Sequence, residues 1–229
     1  MKTTIKILAL LMLITTTTSC FMDGVKGNRN VVSEQRNVSD FDAIDAAAGI
    51  DVILTLNKDI SVRVEADENL QDIIITEVKD GTLLVYAKKN IWSSKSQKVY
   101  VSVPSIHEIT ASSGAEITSK DVITEDELKV RASSGSNIKL NVHVNRLSCK
   151  TSSGADVNLK GEASNLIADA SSGSGIRASD LISETCNSTA SSGADIYVNV
   201  VGNLETNSSS GGNINYEGNP KRVKKVSVD

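Results

Sequence analysis

Ala132-Ser133-Ser134-Gly135-Ser136-Asn137-Ile138 is a stretch that the chain writes repeatedly. It returns at residues 111–117, 151–157, 170–176, 190–196 and 208–214, on the glycines Gly114, Gly135, Gly154, Gly173, Gly193 and Gly211. The intervals between these glycines are 21, 19, 19, 20 and 18 residues, and a degenerate copy, Ala46-Ala47-Ala48-Gly49-Ile50-Asp51-Val52, stands upstream. A fixed period of this length marks a solenoid.

The residues around each glycine say which kind. Seven before it stand His107, Leu128, Leu147, Leu166, Cys186 and Leu204; five before it, Ile109, Val130, Cys149, Ala168, Ser188 and Thr206. Three after it stand Ile117, Ile138, Val157, Ile176, Ile196 and Ile214, every one β-branched. Small or apolar residues therefore recur at every second position, the period of a strand with one buried face. Each repeat reads as strand, tight corner at Ser-Ser-Gly, strand, with glycine supplying the positive φ of the corner. A single repeat cannot bury its own apolar face, so the repeats must stack. An all-β parallel β-helix follows, with a thin interior because many inward positions hold Ala, Ser, Thr or Cys.

From the start of the chain, residues 1–19 carry Lys2 and Lys6, an apolar run over 7–14 and small residues up to Cys20. That is the pattern of a secretory signal, too short for a stable membrane span. The small residues before Cys20 resemble the bacterial lipobox, which implies cleavage before Cys20 and lipid on its sulfur; Thr17 departs from the leucine usual there. The other reading is an ordinary secreted protein whose first cysteine is incidental. The formal net charge of −4 grows more acidic once Lys2 and Lys6 leave, which argues against a nucleic-acid partner.

Residues 20–39 are polar and aperiodic and read as a tether with a first strand near its end, with an irregular cap as the alternative. Residues 40–104 hold strand-like runs and a hairpin signal at Lys79-Asp80-Gly81-Thr82. They read as antiparallel strands that cap or lean on the first coil and are continuous with the helix, with one helical turn over 67–71 and a polar loop over 90–97 bearing Trp92. The repeats fill 105–217. Residues 218–229 leave the repeat at Asn219-Pro220 and read as a basic cap, a charged capping strand, against a polyanion-binding tail. Cys149 and Cys186 fall on inward columns two coils apart, roughly 10 Å at the spacing of neighbouring strands, beyond disulfide reach.

Phe41-Asp42-Ala43-Ile44-Asp45, Gly49-Ile50-Asp51-Val52-Ile53-Leu54, Val64-Glu65-Ala66-Asp67-Glu68-Asn69-Leu70 and the Ser-Ser-Gly copies resemble the family called putative auto-transporter adhesin, head GIN domain. The resemblance implies a right-handed β-helix similar to pectin-lyase-like folds and a role in adhesion, and it brings no catalytic residues.

Enzymatic alternatives were weighed on the column two residues after each glycine: Glu116, Asn137, Asp156, Gly175, Asp195 and Asn213. Asp156 and Asp195 stand two rungs apart, about 10 Å, slightly long for an inverting carboxylate pair. Side chains there read instead as turn residues bonding nearby backbone. His107, read as inward, and His143, on a Val-His-Val strand, offer no Cys or Asp partner at a useful spacing, and the inconstant acids do not match a calcium-binding β-roll. No catalytic residue, metal or cofactor is expected. Expected instead is an exported envelope lipoprotein destined for the outer membrane, acting as an adhesion or interaction module. Its partners would be the membrane through Cys20, protein or glycan ligands, and further copies of itself. Trp92 and Tyr197 are the aromatic contacts to test. A carbohydrate-binding or carbohydrate-processing β-helix and a structural or stress-related envelope protein are the alternatives.

Overall fold

The computed structural model describes residues 24–228; the leader expected over 1–19 and the lipid site Cys20 lie outside them. The Ser-Ser-Gly corner is a type I′ turn. In every copy the second serine and the glycine both hold left-handed backbone, with φ 54° at Ser134 and 70° at Gly135, and 52° at Ser153 and 70° at Gly154. The first serine's carbonyl accepts the N–H three residues on, as in Ser136 to Ser133 at 3.2 Å. Two consecutive positive φ angles are what this turn type requires. The periodicity pointed to the glycine; the strained serine before it was not anticipated. Successive corners stack, because each glycine N–H donates to the second serine's carbonyl of the next coil (Gly114 to Ser134, Gly135 to Ser153, both 3.1 Å).

Between corners each coil is one long, bent strand: β11 (Glu116–Ala132), β12 (Asn137–Thr151), β13 (Asp156–Ala170), β14 (Gly175–Ala190) and β15 (Asp195–Ser209). In β12 the burial alternates through Ile138, Leu140, Val142 and Val144. It breaks at the exposed pair Asn145-Arg146, then resumes at Leu147, Cys149 and Thr151. That break is the second corner, so every coil contributes to two faces. Neighbouring coils pair in parallel and in register, Ile117 to Ile138 to Val157 to Ile176 to Ile196 to Ile214. The longer intervals are absorbed as bulges on the first face, between Thr118 and Val122 and between Ala178 and Ile182. The result is a β-solenoid of about six turns, and the fold class read from the sequence is found.

The amino-terminal region is continuous with the solenoid, as expected. β3 (Ala43–Ala46) and β4 (Asp51–Leu56) flank the Gly49 corner; β3 pairs in parallel with β10 (Glu108–Ala111), and β4 with β11. β7 (Thr82–Ala87) pairs in parallel with β3, and β9 (Gln97–Val103) with β4. Residues 82–103 are thus a further coil whose corner is replaced by an excursion. Antiparallel pairing is confined to β2 (Val31–Arg36) on β5 (Ser61–Asp67), β5 on β9, and β6 (Ile74–Lys79) in a hairpin with β7. The hairpin turn is the expected Asp80-Gly81, at φ 50° and 77°, and the expected helical turn is a 3-10 turn at Glu68–Leu70.

Three expectations are corrected here. The tether over 20–39 already pairs with the domain from Gly24 through β1 (Gly24–Lys26); β2 is the strand expected near its end, where Val31 and Val32 complete the β5 edge. The loop over 90–97 contains β8 (Asn90–Ser93), which pairs in parallel with β1. The stretch after Pro220 does not leave the repeat: β17 (Arg222–Val228) pairs in parallel with β15 as the last rung of the second face, while β16 (Asn213–Glu217) is the last rung of the first.

The core is one cluster running the length of the solenoid, built from single-branched columns such as Leu128, Leu147, Leu166 and Leu204. An inward column that the pattern reading passed over is the residue after each glycine: Ala115, Ser136, Ala155, Ser174 and Ala194, all buried. Its serines are satisfied internally. Ser136 Oγ donates to Ala111 O at 2.9 Å and accepts from Ser133 N–H at 3.1 Å, and Ser174 Oγ pairs with Thr151 Oγ1 at 2.8 Å. Cys149 and Cys186 are buried free thiols, as expected.

Candidate interaction surface

The outward residues of the strands form ladders of paired charges. On the first face Lys139 Nζ meets Glu116 Oε1 at 2.8 Å, and Arg177 Nη1 donates to Asp156 Oδ1 at 2.6 Å. On the second, Lys150 meets Asp169 at 3.3 Å and Lys224 meets Glu205 at 2.6 Å, while Arg131 pairs with Glu108. At the bent corner Arg146 meets Asp126 at 2.7 Å, and on the first face Lys160 meets Asp180 at 2.9 Å. Each joins adjacent rungs, the parallel-sheet form of a cross-strand pair. Exposed pairs of this kind each contribute at most about 1 kcal/mol. They order the surface more than they stabilise the fold.

The acid column after the corners keeps the spacing expected, but its bonding differs. Asp156 and Asp195 do not bond local backbone; Asp156 accepts from Arg177, and Asp195 Oδ1 from Asn213 Nδ2 at 3.2 Å, both one rung on. Gly175 is the reason the ladder gaps. A Cβ on it would fall against the Asp156 carboxylate, so only glycine lets that carboxylate lie over the strand. The gap opens a shallow groove of about 650 Å³ walled by Asp156, Lys160, Gly175, Arg177, Asp195 and Tyr197. Tyr197 points outward as expected, 40% exposed, on the rung beside Arg177. A tyrosine platform next to two carboxylates and a guanidinium is equipped to hold a polyhydroxylated ligand edge-on.

A second groove of about 590 Å³ lies along the bent corner, with Glu125, Asp126, His143, Glu162, Ile182 and Val201. His143 Nδ1 stands 3.4 Å from Glu162 Oε2. His107 is corrected: it is exposed, with Nδ1 3.2 Å from Asp42 Oδ2, and Ile106 beside it takes the buried position. No group of three or more His, Cys, Asp or Glu among the described residues is placed to hold a metal ion. Burial pushes the Cys186 thiol up to about 12 and the Cys149 thiol higher still, aided there by Asp169, so neither is a nucleophile.

Asp67 was passed over in the sequence and organises the amino-terminal end. Fully buried, it accepts from the backbone N–H groups of Arg29 (2.9 Å), Lys95 (2.9 Å) and Ser96 (3.1 Å). Burial alone would raise its pKa; the three N–H donors and the charge of Arg29 outweigh that and hold it below the usual aspartate value. Trp92, expected in a loop, lies on β8 with its indole over Gly24, and it is still 54% exposed.

Solved structures of similar architecture include a putative adhesin from Bacteroides fragilis, at TM-score 0.82 and 19% identity over 89% of this chain and 96% of that one. A putative lipid binding protein from Parabacteroides distasonis aligns at TM-score 0.73 and 21% identity over 90% and 96%. A putative adhesin from the same species aligns at 0.73 and 24% identity over 90% and 98%. At these identities the likeness concerns the fold. None of the curated proteins is detectably similar in sequence to this chain. Residues 40–220 match the family pattern, and the chain belongs to the family described as putative auto-transporter adhesin, head GIN domain.

Proposed function

We propose that this chain is a non-catalytic module of the cell envelope, lipid-anchored through Cys20 in the outer membrane, that engages partner surfaces through its polar faces. The observation that carries the reading is the regular ladder of cross-rung ion pairs. It presents two extended faces of fixed charge spacing, suited to matching another extended surface. Family membership supports an adhesive role. Protease treatment of intact cells tests it: loss of the domain while a periplasmic control survives supports outward display and adhesion. Protection until the membrane is opened sinks the adhesin reading and leaves a periplasmic interaction module. Cys20→Ser expressed alongside should release the protein from the membrane fraction; retention would refute the lipid anchor.

A second reading has its own observation in the groove beside Gly175, where Tyr197, Arg177 and two aspartates converge. This reading assigns the groove to a glycan. Titration with oligosaccharides should perturb Tyr197, and Tyr197→Ala should abolish the response without lowering Tm.

A further inference from the structure

We infer that the amino-terminal end of the solenoid is a membrane-docking surface that seats Trp92 in the headgroup region of the bilayer. The inference rests on the Cys20 anchor proposed above. Its first support is reach. Among the described residues the first paired one is Gly24, and only Phe21, Met22 and Asp23 stand between it and Cys20 in the sequence. Four Cα steps span at most about 14 Å. Such a link holds whatever lies beside Gly24 against the membrane surface.

What lies beside Gly24 is Trp92. The β1–β8 register runs Gly24 to Asn90 and Val25 to Ile91, then slips to Lys26 opposite Ser93. Trp92 is therefore the extra residue of a β-bulge, a device that re-aims a side chain. Val25 and Ile91 pack toward the core. The indole lies over Gly24, where any Cβ would collide with it, and it remains 54% exposed. Tryptophan favours the membrane–water interface, where its ring meets acyl chains and its N–H meets headgroups.

The third support is charge. Along the coils most cations, Arg131, Lys139, Arg146, Lys150, Lys160 and Arg177 among them, meet a carboxylate on an adjacent rung, while Lys120, Arg222 and Lys225 stand apart without sharing a patch with an exposed tryptophan. Lys26, Lys88, Lys89 and Lys95 lie on β1 or in the excursion bearing Trp92. All four are exposed, and none has a carboxylate within 4.0 Å among the described residues. Glu68 and Asp72 are exposed nearby. Free lysines around an exposed tryptophan are the chemistry of an anionic lipid surface. The excursion is pinned to the fold by Asp67, which bonds Arg29 on one side and Lys95 and Ser96 on the other.

Trp92 is the single tryptophan of the chain, so its emission reads this surface directly. The chain from Cys20 onward would be coupled through that thiol to a maleimide lipid in phosphatidylethanolamine–phosphatidylglycerol vesicles; Cys149 and Cys186 are buried and spared. Expected are a blue shift of Trp92 emission, loss of most of it to bromo-acyl lipids, and protection from acrylamide. Added uncoupled, K88Q/K89Q/K95Q should bind these vesicles on the order of a hundredfold more weakly than the parent chain. Full acrylamide access with no bromo-lipid quenching would overturn the proposal, as would a variant that binds like the parent. Fatty-acid labelling of Cys20 in cells is scored separately. An unlabelled Cys20 refutes the anchor, while the coupled chain still decides whether this surface docks.

Discussion

Gly154 and Gly161 both hold positive φ, and substitution separates the reasons. A Cβ on Gly154 meets nothing within 4 Å, so Gly154→Ala suffers only the left-handed backbone, about 1–2 kcal/mol. A Cβ on Gly161 would fall on the Val142 carbonyl, so Gly161→Ala should cost about 3 kcal/mol or more and disturb the β12–β13 pairing. Urea melts of the pair check both. Asp51 is a residue whose replacement should help. Burial and the neighbouring Glu116 raise its pKa, so its charge is unfavourable at neutral pH. Asp51→Asn should raise Tm at pH 7, with the gain vanishing once acid neutralises the carboxyl. Asp67 behaves oppositely. Its folded pKa is lowered, so its stabilising contribution is complete above the ordinary aspartate range and is lost as pH falls through that range to the lowered value. Asp67→Asn should cost about 1–3 kcal/mol at pH 7, less in acid, and expose the amides of Lys95 and Ser96 to exchange. The turn glycines were legible because positive φ leaves a compositional mark. Asp67 was not, since its bonds go to backbone N–H groups, which no side-chain pattern records.

At the scale of the element, the coil is the unit that the sequence spelled out. Columns five and three residues before each glycine, and three after, are inward almost throughout, because alternation and the fixed corner determine register together. Leu147, in the column seven before, is fully enclosed, and Leu147→Ala should cost about 2–5 kcal/mol. What the period could not show was pairing across broken sequence. β7 and β9 form a coil without its Ser-Ser-Gly corner, and β2 joins an edge through ordinary valines, so neither carries the repeat signature. His107 misled for a related reason: the chain enters β10 only at Glu108, so the column had not yet begun at residue 107. Because contacts run between neighbouring coils, removal of residues 155–173, one interval between corner glycines, should leave a shorter solenoid that still folds and unfolds with a smaller urea m-value.

For the whole molecule, function was less legible than fold. Gly175 and Tyr197 meet in one groove only once rung pairing brings three coils together, and Trp92 gains its setting from Gly24, far off in sequence. Stability should also grade along the axis. The last rung, β16 and β17, leaves Ile214 half-buried and Val223 and Val226 exposed, so its amides should exchange first, ahead of those of β12 and β13. The strands lie across the long axis, and their ladder bonds lie along it. A load between a membrane-held base and a ligand gripped at the far end would therefore open those bonds in tension, rung after rung, instead of shearing a whole sheet at once. Each coil that peels away would pay out on the order of 65 Å of chain at about 3.3–3.6 Å per residue. Under such a pull the solenoid would lengthen stepwise, coil by coil.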